Sequence, residues 1–224
     1  MVNKILVVAA HPDDEVLGCG GTIARHVSQS DLVKVIFLTD GESARDNFKD
    51  TDVSERRQSA VKAREILGIE DIYWADFPDN KMDSVPLIEI VKKIESVIKI
   101  FQPSIIYTHH AHDLNIDHRR ACQAVITACR PQFNHSVKEI YSFEVLSSTE
   151  WQIQSPSHVF CANLIVDISD QIDTKMKAIE AYSQEMREHP HSRSREAIKA
   201  LASLRGATHG CSFAEAFSVI RIIK

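Results

Sequence analysis

The stretch that decides the fold is KILVVAA at residues 4–10, followed directly by HPDDE at residues 11–15. The first run is short, apolar throughout after Lys4 and rich in β-branched side chains. Such a run predicts a strand buried on both faces of a parallel sheet. After the polar turn, residues 16–29 (VLGCGGTIARHVSQ) place apolar side chains at helical spacing. The beginning of the chain therefore predicts a strand, a polar loop and a helix.

The same alternation continues through the first half of the chain. Strands are predicted at 33–41, 71–77 and 104–110, and amphipathic helices at 54–69 and 85–101. Alternating strands and helices of this length imply a parallel sheet with right-handed crossovers. The predicted fold is a Rossmann-like α/β fold with a mostly parallel sheet flanked by helices.

The later chain is less regular and predicts a small C-terminal elaboration. Its predicted elements are strands at 137–145 and 158–168, a helix at 169–185 with Ser169 as N-cap, a polar loop at 188–194 and a helix at 194–207. The loop contains His and Arg residues that could close over a sugar, although such loops are more often solvated. Because there is no internal repeat and no low-complexity linker, residues 1–224 are predicted to form one domain.

Composition excludes several classes of protein. The net charge is −5 at pH 7 and the basic residues are scattered, which argues against binding to nucleic acid. Five cysteines without a CxxC spacing argue against a disulfide framework and favour a reducing cytoplasm. No apolar stretch approaches the ~20 residues needed to span a bilayer, so stable membrane insertion is not expected.

Polar residues collect at one predicted edge of the sheet. They lie at His11–Asp14, Asp40–Glu42 and His109–His118, directly after the first, second and fourth strands. Ligands of open α/β sheets bind outside the carboxyl ends of the strands. This edge is therefore the candidate functional site.

The HPDDE turn offers the ligands that a catalytic zinc requires. Zinc accepts histidine nitrogen and carboxylate oxygen, and a catalytic site uses three protein ligands and leaves one position open. His11 and Asp14 are spaced to converge on one ion, which leaves Asp13 beside it. A carboxylate near the metal but not bound to it can take a proton from the attacking water.

The third ligand is predicted to come from the loop after the fourth strand. That loop contains His109, His110, His112 and His118. We select His118 because it begins a predicted helix, with Asp117 as N-cap, and is therefore anchored. Taken singly, the acidic turn could be merely solvated and the histidines could be surface residues. Their occurrence at one edge of the sheet favours a Zn²⁺ site.

Three motifs also resemble a known family. AHPDDEVLGCGGTIARH at 10–26, Asp40-Gly41 and DLNIDH at 113–118 resemble the LmbE-like or PIG-L-type zinc N-deacetylases, and RGxxxGxxxAEAF at 205–217 is a looser match. Members act on glycolipids that contain N-acetylglucosamine, on mycothiol and bacillithiol precursors, and on antibiotic sugars. The resemblance extends over roughly the whole chain.

The resemblance implies the same three zinc ligands and assigns the general base to Asp13. It also implies that Asp117 supports the ligands and that Arg56 contacts the substrate, although a solvated helix residue is an equal alternative for Arg56. Relatives often assemble as homo-oligomers. The oligomeric state of this chain stays open, and so does the identity of its sugar substrate.

One position departs from the family pattern. Many members have HPDH as the second motif, and its first His is thought to stabilise the oxyanion or protonate the leaving amine. Asn115 stands there in this chain. Asn can donate a hydrogen bond but cannot supply a proton. The acid role then falls to Asp13 after it has acted as base, to His110, or to His112, which is also a candidate substrate contact.

The predicted function is zinc-dependent hydrolysis of an acetamide on an N-acetylated sugar or glycoconjugate, which releases acetate and an amino sugar. One alternative is a sugar- or nucleotide-binding module that has lost the chemistry. Another is a different zinc hydrolase, such as a phosphoesterase, although two-metal phosphoesterases need more bridging carboxylates. Gly18–Gly21 lacks the lysine of a phosphate-binding loop and predicts close packing of the first helix.

Overall fold

The computed structural model describes residues 2–224, and every strand in that range belongs to one sheet. The strands are β1 (Lys4–Ala9), β2 (Leu32–Thr39), β3 (Asp71–Phe77), β4 (Ile105–His109), β5 (Glu139–Phe143), β6 (Leu164–Asp167) and β7 (Ala214–Ile222). The α-helices are α1 (Asp14–Ser28), α2 (Asp50–Leu67), α3 (Leu87–Phe101), α4 (Ile116–Ala128), α5 (Ile172–Glu180) and α6 (Arg195–Ala207). None of the helices described is both long and apolar enough to cross a membrane.

The sheet has the order β3-β2-β1-β4-β5-β7-β6. Strands β1 to β5 pair in parallel, whereas β7 runs antiparallel to both β5 and β6. The mostly parallel α/β fold predicted from the sequence is therefore confirmed. The chain moves outward from β1 to β3 and then crosses back to β4 on the other side of β1. Such a reversal opens a crevice between the loops that follow β1 and β4.

Strand β1 is buried on both faces, as its uninterrupted apolar sequence predicts. Ile5 and Val7 pack into a core shared with α1, α2, α5 and α6, whereas Leu6 and Val8 pack into a second core with α3 and α4. Helices therefore cover both faces of the sheet. The central strand is held from both sides, and the loop at its carboxyl end has a rigid base.

Two glycines allow α1 to lie close to its neighbours. A Cβ atom on Gly18 would overlap the ring of Phe143, and one on Gly21 would overlap the side chain of Ile168. The packing role predicted for this glycine-rich segment is confirmed. The helix also bends at Cys19, whose φ of −147° is not helical.

The C-terminal third differs from its predicted elements. The helix predicted at 169–185 begins at Ile172 and ends at Glu180, and Ser169 is not its N-cap, because the Ser169 hydroxyl donates to Asp167 instead. The strand predicted at 158–168 shortens to β6. Strand β7 was not predicted, and it completes the sheet between β5 and β6. Together these elements form the small C-terminal elaboration.

Candidate active site

The site lies where β1 and β4 end side by side. His11 and Asp13 lie on the turn after β1, Asp14 begins α1, and His118 lies in the first turn of α4. All four side chains are buried. The crevice at the reversal of strand order therefore contains the HPDDE turn at 11–15 and the end of the DLNIDH motif at 113–118.

Three donor atoms converge in this crevice. Nδ1 of His11 lies 3.1 Å from Oδ2 of Asp14, and Nε2 of His118 lies 3.2 Å from the first atom and 3.3 Å from the second. Ligands of a tetrahedral zinc ion at about 2.0–2.1 Å from the metal are separated by roughly 3.3 Å. In addition, Oδ1 of Asp14 is buried without a hydrogen-bond partner. The three side chains therefore form a candidate metal site whose donors and spacing fit zinc.

The outward nitrogen of each histidine faces a carboxylate. Nε2 of His11 lies 3.2 Å from Asp117 and 3.3 Å from Asp79. Nδ1 of His118 lies 3.1 Å from Asp113. In metal sites such carboxylates fix the tautomer and orientation of a ligating histidine and make it a stronger ligand. Asp79 was not identified from the sequence, and Asp113 was noted only as the first residue of the DLNIDH motif.

The carboxylate of Asp117 is held by the backbone of the segment after β3. The amide of Asn80 donates to Oδ2 at 2.7 Å, and the amide of Met82 donates to Oδ1 at 3.0 Å. Asp117 was predicted to be the N-cap of α4, and this prediction is wrong. It is the second residue of the helix, and its side chain contacts His11 rather than the amides of the first helical turn.

Asp113 is held by hydroxyl groups from the segment after β5. The hydroxyl of Thr149 donates to Oδ2 at 2.6 Å, and the hydroxyl of Ser148 donates to Oδ1. Burial would raise the pKa of Asp113, but the adjacent His118 and these hydroxyl donors hold it well below its usual value. Asp113 therefore stays a carboxylate that can accept from His118.

Neighbouring charges shift the pKa values of two candidate ligands, His118 and Asp14. Burial lowers the pKa of His118, but the charges of Asp14 and Asp113 outweigh burial and raise it to about 9. Burial would likewise raise the pKa of Asp14, but His118 and His109 lower it well below its usual value. The carboxylates thus attract positive charge to this point, and a bound cation would compete with a proton there.

Asp13 has a strained backbone and a buried carboxylate. Its φ of 130° is unusual for a residue with a side chain, and the Asp13 amide donates to Oε2 of Glu15 at 3.0 Å. Oδ2 lies 2.9 Å from Arg193 and 3.2 Å from Arg56, while Oδ1 is buried without a partner. Burial raises the pKa of Asp13, and the two arginines oppose that rise. One carboxylate oxygen is held, and the other is free to accept a proton.

The arginines belong to an ionic network centred on the buried carboxylate of Glu185. This carboxylate lies 2.6 Å from Arg56, 2.7 Å from Arg45 and 3.5 Å from Arg193. Arg56 also lies 3.7 Å from Glu42. The network joins α2, the loop after β2 and the segment between α5 and α6. Arg56 is only 5% exposed, so most of its guanidinium contacts protein rather than the open space.

A polar cavity of about 240 Å³ opens onto the candidate metal site. Its lining consists of His11, Asp13, Gly41, Ala44, Arg45, Arg56, Asp79, Asn80, Asn115, Glu185 and Arg193. A larger cavity of about 500 Å³ lies elsewhere, between α5, α6 and the intervening loop, and contains none of the candidate metal ligands. The smaller cavity is the one that the chemistry can use.

Asn115 is the N-cap of α4 and also lines the cavity. Its Oδ1 accepts from the amide of Asp117 at 2.8 Å, and its Nδ2 donates to Oδ1 of Asn80 at 3.0 Å. One of the two N–H groups on Nδ2 remains for another acceptor. The position that departs from the family pattern therefore combines a structural role with a free donor.

His110 and His112 lie outside the cavity lining. Nε2 of His110 is 2.9 Å from the carbonyl oxygen of His158, and its ring packs edge-on against Phe160. The ring of His112 packs against the ring of His158 at 4.4 Å. These two histidines, unlike Asn115, contact the segment between β5 and β6 and do not line the cavity.

Comparison with known proteins agrees with the motifs. The sequence profile described as "PIG-L: GlcNAc-PI de-N-acetylase" matches residues 6–129, which include every candidate metal ligand. The chain belongs to this family. As a PIG-L family N-deacetylase it is a metal-dependent hydrolase, and its buried His/Asp cluster is the candidate metal site.

Relatives in this family span most of the chain. The chain is 27% identical to a diacetylchitobiose deacetylase of Thermococcus kodakarensis over 96% of its own length and 82% of the relative's. The structure of the N,N'-diacetylchitobiose deacetylase of Pyrococcus horikoshii with its inhibitor MPG covers 98% of the chain with a TM-score of 0.79 at 22% identity, and the chain covers 84% of it. The zinc-inhibited form of the teicoplanin deacetylase Orf2 covers 97% with a TM-score of 0.74 at 18% identity, and the chain covers 98% of it. The two structures share the fold.

Proposed function

We propose that this chain hydrolyses the acetamide of an N-acetylated sugar with a zinc ion bound by His11, Asp14 and His118. The products are acetate and an amino sugar. The observation that carries the proposal is the convergence of three donor atoms, 3.1–3.3 Å apart. Beside them in the chain lies Asp13, whose Oδ1 has no hydrogen-bond partner. A Lewis acid and an adjacent base are the two groups that amide hydrolysis requires.

When bound, zinc supplies a Lewis acid that polarises the amide carbonyl and lowers the pKa of water. The choice of zinc rests on the two nitrogen donors and one oxygen donor, on their tetrahedral spacing, and on the carboxylates behind both histidines. A relative of the same fold is known in a zinc-inhibited form. Asp79 and Asp117 orient His11, and Asp113 orients His118, so that one ring nitrogen of each histidine can bind the metal.

Asp13 acts as the general base in this scheme. Its Oδ1 has no protein partner, so it is the oxygen that accepts the proton from the attacking water. The same group then returns the proton to the leaving amine. The cavity lining supports this second role, because it includes Asp13 but neither His110 nor His112. Glu185 also lines the cavity, but its carboxylate is paired with Arg45 and Arg56.

Asn115 is assigned the role of hydrogen-bond donor to the oxyanion. Asn115 lines the cavity and keeps one N–H of Nδ2 unused, and a donor held in place by two other hydrogen bonds needs no reorganisation during the reaction. In the family pattern a histidine at this position could also move a proton. Here the two tasks are divided between Asn115 and Asp13.

The cavity favours a small substrate group. Its volume of about 240 Å³ lies below the roughly 300–1,000 Å³ of pockets that enclose drug-sized ligands. A single N-acetylated sugar ring suits this space, and the rest of a larger conjugate would lie outside it. The lining offers amide and guanidinium donors that match sugar hydroxyl groups. The diacetylchitobiose deacetylases among the relatives act on substrates of this type.

A two-metal phosphoesterase is not favoured by the second acidic group. His11, Asp79 and Asp117 also lie close together, but this group shares His11 with the candidate zinc site. Both oxygens of Asp117 already accept backbone amides. A binding module that has lost the chemistry is not favoured either, since the candidate base Asp13 is present and its Oδ2 is held by two arginines.

The test is a screen of the zinc-loaded protein against N-acetylated sugars and sugar conjugates. Mass spectrometry would detect loss of the acetyl group, and acetate would be quantified in parallel. Phosphorylated sugars in the same panel test the phosphoesterase alternative. We expect deacetylation of at least one N-acetylglucosamine-type compound and no release of phosphate. Phosphate release without acetate release would overturn the proposal.

A further inference from the structure

Two arginines from distant parts of the chain hold the same oxygen of Asp13. Arg56 lies on α2, whereas Arg193 lies on the loop before α6, beyond residues 6–129 of the matched family profile. Arg193 makes the shorter contact, at 2.9 Å against 3.2 Å. Arg56 makes a closer contact with Glu185, at 2.6 Å. Arg193 is thus the principal partner of the carboxylate of Asp13.

The guanidinium of Arg193 is itself fixed in place. Its Nε donates to the hydroxyl of Ser147 at 2.6 Å, while Nη1 reaches Asp13. Its backbone amide donates to Nδ1 of His191 at 2.9 Å, and the next residue, Ser194, caps α6 through its hydroxyl. The side chain therefore reaches Asp13 from a closed turn that is attached to a helix.

The segment after β5 supports both halves of the site. Ser147 accepts from Arg193, and the adjacent Ser148 donates to Asp113, which faces His118. One turn of chain thereby contacts both Arg193, which holds Asp13, and Asp113, which faces His118.

We propose that Arg193 is a positioning residue that holds Oδ2 of Asp13 and thereby presents Oδ1 to the attacking water. The inference rests on the proposed function, because it assigns Arg193 to the base of that reaction. Asp13 has a strained backbone and an unpartnered Oδ1, so its side chain depends on contacts at Oδ2 for its orientation. A bidentate guanidinium can hold Ser147 and Asp13 together, whereas a lysine ammonium offers a single nitrogen.

The alternative role for Arg193 is a direct contact with substrate. Arg193 lines the cavity and its side chain is 21% exposed. A contact that is equally strong in the ground state and the transition state raises KM on removal and leaves kcat unchanged. Loss of a positioning contact lowers kcat and leaves KM nearly unchanged. The two roles therefore separate in steady-state kinetics.

The experiment compares Arg193→Ala and Arg193→Lys with the wild type, and uses Arg195→Ala as the matched control. The side chain of Arg195 pairs with Glu180, and neither residue lines the polar cavity at the candidate metal site. Zinc content, KM and kcat are measured for the substrate found in the screen, with and without added guanidinium. We expect Arg193→Ala to keep its zinc and lose about 10- to 100-fold in kcat, which is less than the loss of the base itself. Guanidinium should restore part of the rate.

Crystal structures of the wild type and Arg193→Ala supply a readout that needs no substrate. We expect the Asp13 carboxylate to turn away from its wild-type position in the variant. An unmoved carboxylate, an unchanged kcat, or a rise in KM alone would overturn the role of Arg193. If the wild type deacetylates no sugar, the proposed function fails, and the crystal comparison still decides whether Arg193 positions Asp13. If Arg193→Ala does not fold, Arg193→Lys is compared in the same way.

Discussion

Oδ1 of Asn115 accepts a hydrogen bond from the backbone amide of Asp117 at 2.8 Å. Asn115 is thus the N-cap of α4, the helix that carries His118. Its Nδ2 donates to Asn80 and keeps one N–H for the cavity. A single side chain therefore links the position of a candidate metal ligand to the candidate oxyanion donor.

Substitutions at Asn115 can separate these two roles. Asn115→Ala removes both the cap and the donor, so we expect a loss of roughly 0.5–2 kcal/mol in the free energy of unfolding. We also expect kcat to fall on the order of 10²-fold, as for loss of one oxyanion donor. Asn115→Ser keeps a capping hydroxyl, so its stability should stay near wild type while kcat falls as far as in Asn115→Ala. Denaturant unfolding and steady-state kinetics give both quantities. A fully active Asn115→Ser protein would leave Asn115 with the capping role alone.

Asp13→Asn should keep the metal and lose most of the turnover. The amide preserves the shape of the side chain but cannot accept the proton from water. A general base contributes ~10²- to 10⁴-fold, so we expect a decrease in kcat of that size. Elemental analysis checks that zinc is retained, and acetate release measures kcat. Near-normal turnover with zinc bound would remove Asp13 from both of its proposed roles.

Asp113→Ala should weaken zinc binding without removing a ligand. Nδ1 of His118 loses its carboxylate partner, and the ring is then free to change tautomer or orientation. Removal of such a partner typically lowers metal affinity about 10- to 100-fold. Competition with a chromogenic chelator measures the affinity. The exposed residue Asp71 provides the control, since it begins β3 at the opposite edge of the sheet and Asp71→Ala changes the same charge away from the site. Equal zinc affinity in the two variants would contradict the role of Asp113.

Alanine substitutions in the glycine-rich part of α1 should have opposite effects. Added Cβ atoms at Gly18 and Gly21 overlap Phe143 and Ile168, so we expect each variant to lose roughly 1–3 kcal/mol in the free energy of unfolding. At Gly20 the nearest atom is 3.5 Å away, which is an ordinary contact. Gly20→Ala should therefore be neutral or stabilising by up to about 1 kcal/mol. Chemical denaturation distinguishes the three variants, and equal stabilities would show that α1 is less closely packed than described.

The sequence predicts the centre of the fold well because its signals there are local. Residues 5–10 are apolar without interruption since β1 is covered by helices on both faces. Strand β7 was not predicted, although residues 217–222 have the β-branched and aromatic composition of a strand. Its burial is not evident from the sequence, because the strand also contains Glu215. That carboxylate is buried, pairs with Lys175 at 2.6 Å and accepts amides from α1. A buried charge with partners from distant elements cannot be distinguished from a surface charge in the sequence alone.

The same limit applies to the site. His11, Asp13, Asp14 and His118 were found from spacing and chemistry. Asp79 was missed, Asp113 was noted only as the first residue of the DLNIDH motif, and Arg193 was noted only in a polar loop that could close over a sugar. Their roles arise from tertiary contacts, and Arg193 lies 180 residues from Asp13 in the chain. Asn115 and Asp117 are both common N-cap residue types. Only the extended backbone of Asn115, with φ −69° and ψ 130°, decides that it is the cap.

The most direct test of the central claim is acetate release from an N-acetylglucosamine conjugate by metal-free protein before and after zinc is restored. Chelator-treated wild type should release no acetate, and equimolar zinc should restore the rate, because His11, Asp14 and His118 converge on one ion. His118→Ala treated in the same way should stay inactive. Acetate release at the wild-type rate by protein shown to contain no metal would contradict the account.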